Sequence, residues 1–107
     1  MNDATNTADT ILRQLGGSGR LSIMIGAKNF VGEDRALSFR FAARAKNGAN
    51  WIEVTLAGDD TYTIRFAKVT RPRFGGETVA ERGTFRGVYV AQLRATIERE
   101  TELRLSL

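Results

Sequence analysis

The chain has 107 residues, sixteen Lys plus Arg against twelve Asp plus Glu for a net charge of +4, and neither cysteine nor histidine. That length suits one domain able to bury a single core without metal or disulfide support. The two absences remove disulfides, thiolate chemistry, the commonest zinc ligands and the commonest general base, leaving carboxylates, Lys, Tyr, Ser and Thr for any reaction.

The N-terminus has neither a basic start nor an apolar run, and no stretch approaches the roughly 20 apolar residues that span a bilayer, so a cytoplasmic protein is expected. The charge is unevenly spread: residues 20–76 carry ten basic and five acidic side chains, whereas residues 77–107 carry five of each. A basic excess in the middle of the chain suits an anionic partner, nucleic acid among them.

Residues 1–6 are polar and expected to be flexible, with one domain over 7–107. From Ala8 the spacing of Ile11, Leu12 and Leu15 predicts a short amphipathic helix, with Thr7 as N-cap, Asp9 in the first turn and Gly16-Gly17 as its stop. Gly16-Gly17-Ser18-Gly19 also invites a phosphate-loop reading. The glycines follow a helix rather than a strand, and no Gly-Lys-Ser/Thr closes the run, so a helix stop with a flexible link is preferred.

Leu21, Ile23 and Ile25 alternate with Ser22 and Met24, which predicts a first strand ending at Gly26. A long connection over residues 27–35 follows; its Lys28, Phe30 and Val31 could form a binding loop, but Phe30 and Val31 capping one end of the core is the preferred reading. Leu37, Phe39 and Phe41 against Ser38 and Arg40 predict a second strand. A basic connection through residues 43–50 then carries the turn dipeptide Asn47-Gly48.

The clearest signal lies in residues 51–69. Ile52, Val54 and Leu56 alternate with Glu53, Thr55 and Ala57, and after Gly58-Asp59-Asp60 a second alternation sets Tyr62, Ile64 and Phe66 against Thr63, Arg65 and Ala67. This is a β-hairpin with one apolar face. Thr70-Arg71-Pro72-Arg73-Phe74-Gly75-Gly76 reads as a basic loop, because Pro72 ends any strand. Residues 77–87 have no clear pattern, although Val79 and Phe85 are expected to return to the core.

Val90, Leu93 and Ile97 are spaced for one face of a final helix, with Gln92, Arg94, Glu98 and Arg99 on the wet side. Glu100 and Arg104 form an i,i+4 pair if the helix runs on. The last residues alternate, Leu103, Leu105 and Leu107 against Arg104 and Ser106, so a terminal strand competes with continued helix.

The expected architecture is α+β: four antiparallel strands in sequence order, or five if a short fifth forms, with an N-terminal and a C-terminal helix on one face. The apolar face reads Leu21, Ile23, Ile25, Leu37, Phe39, Phe41, Ile52, Val54, Leu56, Tyr62, Ile64 and Phe66. The opposite face carries Ser22, Met24, Ser38, Arg40, Trp51, Glu53, Thr55, Thr63 and Arg65 and can sit in water.

That polar face is the candidate site. Trp51 beside Arg40 and Arg65, with Arg44, Lys46, Lys68, Arg71 and Arg73 at the rim, offers an aromatic for stacking and cations for phosphates, the elements of single-stranded nucleic-acid binding. The competing reading has Trp51 closing the core and the arginines merely solvated. A magnesium-dependent nuclease needs two or three carboxylates at one site. Asp59-Asp60 is explained by its turn, Glu33-Asp34 lies in a connection, and Glu77 and Glu81 are four apart in the unclear region. No catalytic residue, cofactor or metal site is assigned. An unpaired edge strand, the first or the C-terminal one, offers a route to a homodimer; otherwise the chain is a monomer.

Gly26-Ala27-Lys28-Asn29-Phe30, Leu37-Ser38-Phe39-Arg40-Phe41, Asp60-Thr61-Tyr62, Gly87-Val88-Tyr89 and Gln92-Leu93 together resemble small proteins encoded by bacteriophages and mobile elements. The resemblance touches most of the chain beyond residue 10 and carries no functional residue with it. It implies a non-enzymatic protein in the host bacterial cytoplasm that binds a host protein or nucleoprotein complex, including defence complexes of the CRISPR type. At +4, the chain departs from inhibitors that mimic DNA with an acidic surface.

Overall fold

The structure is a computed structural model that describes residues 3–71 and 74–105, with side chains from Thr7 onward. Its elements are α1 (Asp3–Leu15), α2 (Ser18–Ile25), β1 (Ala27–Glu33), β2 (Ala36–Phe41), β3 (Trp51–Leu56), β4 (Tyr62–Thr70), β5 (Thr78–Val88) and α3 (Val90–Thr101). The five strands form one antiparallel sheet in sequence order, the meander expected from short connections.

The hairpin of residues 51–69 is β3 and β4, in register from Trp51 opposite Ala67 to Leu56 opposite Tyr62. Its turn is held by Asp59, whose carboxylate accepts from the Thr61 hydroxyl at 2.6 Å and the Thr61 N–H at 3.2 Å. Those two bonds, the hydroxyl's first, hold the Asp59 carboxyl below the usual carboxylate range. Asp60 takes a positive φ of 65°, a conformation that Asp tolerates better than most residues.

The segment expected as a first strand is a helix. Leu21 and Ile25, one helical turn apart, are buried, while Ile23 between them is 84% exposed. The i, i+2, i+4 spacing of the three is that of a strand, but Leu21 and Ile25 taken alone are also one helical turn apart, and the flanking glycines favour the helix. Gly17, at φ 90°, precedes α2, and Gly26 ends it in the left-handed conformation, its N–H bonding the Ser22 carbonyl at 3.0 Å. The strand lies instead in the supposed connection. β1 pairs with β2 across a bulge between Lys28 and Val31, where Asn29 has a φ of 56°. The bulge erases the alternation that marks a strand. Phe30 still reaches the core and packs on Phe39, with ring centroids 5.2 Å apart, but Val31 is exposed.

The unclear region is the fifth strand, β5, and among the described residues no strand forms after α3. Val79 is exposed rather than core, whereas Phe85 meets Phe66 edge-on at 5.9 Å. α1 begins at Asp3, so Thr7 lies inside the helix and is not its N-cap. α3 stops at Thr101, with Glu102 in the left-handed conformation. Glu100 therefore pairs with Arg99 at 3.0 Å instead of with Arg104. Val90, expected on the buried face of α3, is half-exposed; Leu93 and Ile97 are buried as expected.

The core lies between one sheet face and the helices. Leu37, Phe39, Phe41, Ile52, Val54, Tyr62, Ile64 and Phe66 meet Ile11 and Leu15 of α1, Leu21 and Ile25 of α2, and Leu93 and Ile97 of α3. α1 lies against β1 and β2 and sits close: a Cβ built on Gly32 would be 2.9 Å from that of Ala8. The Tyr62 hydroxyl donates to Gln14 at 2.7 Å, tying α1 to β4. Among the described residues no helix is long and apolar enough to cross a membrane.

Candidate functional site

Alternation puts every second residue of the sheet on the face the helices leave open, and register then sets the neighbours. Arg40, Trp51, Ala67 and Glu81 form one cross-strand row; Ser38, Glu53, Arg65 and Thr84 form the next. Trp51 is therefore part of the open face, not a plug of the core. Arg65 lies diagonal to it, with the guanidinium carbon 5.6 Å from the ring centroid, within cation–π range.

Carboxylates hold these arginines. Arg65 donates to Glu81 at 2.5 Å and to Glu53 at 3.2 Å. The Glu81 bond is the main reason its guanidinium is held above the ordinary range. Glu77 accepts from Arg40 at 2.6 Å and from Arg71 at 2.7 Å. The Arg71 bond, then that of Arg40, holds the Glu77 carboxyl below the usual range, so it stays ionised and paired at neutral pH. Exposed pairs of this kind add little to stability, so their main effect is to fix side-chain positions. Trp51, Arg65, Arg40 and Arg71 thus come together as expected, but with three glutamates among them.

Past Ala67 the sheet narrows. β3 begins at Trp51, so Lys68–Thr70 pair only with Thr78–Ala80, and the hairpin continues as a two-stranded ribbon. Asn50 clamps its base. Its side-chain nitrogen donates to the Val69 carbonyl at 2.9 Å and its oxygen accepts from the Val69 N–H at 2.7 Å, imitating one more residue of β3. Asn50→Ala leaves both Val69 groups without these partners and is expected to cost about 1–3 kcal/mol. Thermal denaturation checks the loss, and faster amide exchange at residues 68–70 and 78–80 locates it.

The remaining predicted site residues divide. Arg44 and Lys68 line an open cleft of about 460 Å³ between the residue 42–50 connection and the ribbon base, with Ala45, Gly48 and Ala49 on its wall. Lys46 turns away to Glu102 at 3.3 Å. Arg73 lies outside the described residues. A residue that sequence reasoning missed, Arg82, does not line the cleft itself but stands beside it, next to Gly48 of its wall. It is the extra residue of a β5 bulge, between Gly83 opposite Phe66 and Glu81 opposite Ala67. A Cβ on Gly48 would stand 3.5 Å from its Nε and 3.8 Å from its Cζ, which puts the guanidinium against the Gly48 backbone. Arg44, Lys68 and Arg82 have no carboxylate partner among the described residues.

Further concavities among the described residues include a groove of about 580 Å³ between β5 and α3, lined in part by Arg86, Gln92 and Arg99, and a small one of about 160 Å³ at Thr7, Thr10, Leu56 and Tyr62. Gly16-Gly17 ends α1, with the Gly17 N–H on the Leu12 carbonyl at 2.9 Å, as a helix stop does. Among the described residues no three His, Cys, Asp or Glu stand together as a metal site. Glu77 and Glu81, the carboxylates considered for a nuclease, both accept from guanidinium groups. Neither protein-family models, nor curated proteins, nor solved structures give a match to this chain.

Proposed function

We propose that this chain is a binding protein without catalytic chemistry, of phage or mobile-element origin, that engages a host nucleoprotein complex used in defence, in the manner of anti-CRISPR proteins. The observation that carries this reading is the open sheet face. Trp and Arg are the side chains most often dominant in protein interfaces, and here Glu53 and Glu81 set Arg65 in place over the Trp51 ring before any partner arrives. Such pre-organisation lowers the ordering cost of association.

Binding to purified CRISPR effector–guide complexes, measured by biolayer interferometry together with target cleavage, tests it. Trp51→Ala and Arg65→Ala are each expected to weaken binding at least about tenfold and to restore cleavage, as hot-spot truncations do. Binding that survives both substitutions would remove the open face from the proposal. Failure to bind any effector in the panel would count against the defence-complex reading itself.

A second reading, direct binding of single-stranded DNA or RNA, is favoured by a different observation: cationic side chains of the cleft that no carboxylate among the described residues neutralises. It predicts oligonucleotide affinity that falls steeply between about 50 and 200 mM salt. The nuclease reading ranks last, because Glu77 and Glu81 would have to give up their arginines to hold magnesium.

A further inference from the structure

The geometry points to the cleft at the ribbon base, rather than the Trp51 face, as the place where a nucleic-acid strand lays its phosphodiester backbone, held by Arg44, Lys68 and Arg82. This inference rests on the single-strand binding reading and names its site.

Three observations converge. The first is the division of the cations. Arg40, Arg65 and Arg71 are engaged by Glu53, Glu77 and Glu81, so a phosphate arriving at the open face must compete with carboxylates already in hydrogen-bond contact. Arg44, Lys68 and Arg82 meet no such competitor among the described residues and are all exposed.

The second is the bulge. In unbroken register Arg82 would take an ordinary ladder position between Glu81 and Gly83. The extra residue instead lays its guanidinium against Gly48, on the wall of the cleft that Arg44 and Lys68 line. Bulges commonly re-aim a side chain in this way.

The third is shape. Apart from Arg44, Asn50 and Lys68, the lining is made of Ala42, Ala43, Ala45, Gly48 and Ala49, none of which reaches far enough to fill the space. An open cationic trough of this form tracks a flexible backbone without reading its bases, and the single-strand phosphate spacing lets neighbouring cations take successive phosphates.

The test is fluorescence anisotropy with the full chain and a fluorescein-labelled oligothymidylate of about 12 nucleotides, a length within the usual single-strand site size. Affinity is read at several salt concentrations between about 50 and 200 mM, which gives the slope of log K against log salt. Arg44→Gln, Lys68→Gln and Arg82→Gln are each expected to flatten that slope by about 0.7, the value of one single-strand phosphate interaction. Arg86→Gln removes the same charge from the other end of β5 and is expected to leave it unchanged.

Wild-type binding that all three cleft variants retain with unchanged slope would overturn the cleft and leave the nucleic-acid reading standing. Equal flattening by Arg86→Gln would show that net charge alone is felt and would overturn the site. Displacement of the oligonucleotide by inorganic phosphate well beyond that by chloride of equal ionic strength would assign the cleft to a free anion instead. No binding by the wild type would overturn the inference together with the reading on which it rests.

Discussion

Phe66→Ala is expected to lower the stability of the chain by about 3–5 kcal/mol, the range for emptying a fully buried aromatic site. Phe66 has no exposed surface and lies in β4, one strand in from the edge, paired with Ile52 on one side and Gly83 on the other. Its ring also meets Phe85 edge-on, and the substitution leaves that second ring without its aromatic neighbour. The residues around it belong to three paired strands, so the site has little freedom to collapse. Because small domains are stable by only about 5–15 kcal/mol, this one substitution removes a large share of the total. Urea denaturation measures it: a midpoint shift at constant slope is expected, whereas a loss below about 1 kcal/mol would mean that the sheet is not packed as described.

Leu21→Ala and Ile23→Ala are expected to differ sharply, although the residues are two apart and chemically alike. Leu21 is fully buried within the core, so its truncation should cost about 2–5 kcal/mol. Ile23 is 84% exposed on the far side of the same helix, and its truncation should stay within about 0.5 kcal/mol. A strand at this position would put both side chains on the same face and make both substitutions costly. Comparable losses at the two positions would therefore restore the strand and remove α2.

These two cases mark where the sequence is readable and where it is not. β2, β3 and β4 are central or nearly so, with one buried face, and their alternation shows plainly in Leu37, Phe39 and Phe41 and in Ile52 to Phe66. β1 and β5 are the edges, exposed over most of their length and interrupted by bulges, so neither carries a period-two apolar signal. α2 is only eight residues long, too short for a helical period to outvote an accidental alternation. The glycines at 17 and 26, one before the apolar stretch and one after it, are the available clue.

The candidate site inherits the same limits. Strand parity is enough to put Arg40, Trp51 and Arg65 on one face. The pairing of Arg40 and Arg71 with Glu77, and of Arg65 with Glu81, depends on β5 and its approach, which no sequence period marks. Arg82 escapes notice for that reason too, since a bulge residue follows no alternation. What reads as one basic patch is two surfaces: a charge-balanced face around Trp51 and an unneutralised cleft around Gly48.

That separation is the centre of the account, and amide chemical-shift mapping tests it most directly. Titration of the isotopically labelled chain with a short single-stranded oligonucleotide is expected to shift the amides of residues 43–50, Lys68 and Arg82, with little change at Glu53, Thr55 and Arg65. Shifts centred on Trp51, Glu53 and Arg65, with the cleft residues unmoved, would contradict the account and return the nucleic acid to the open face of the sheet.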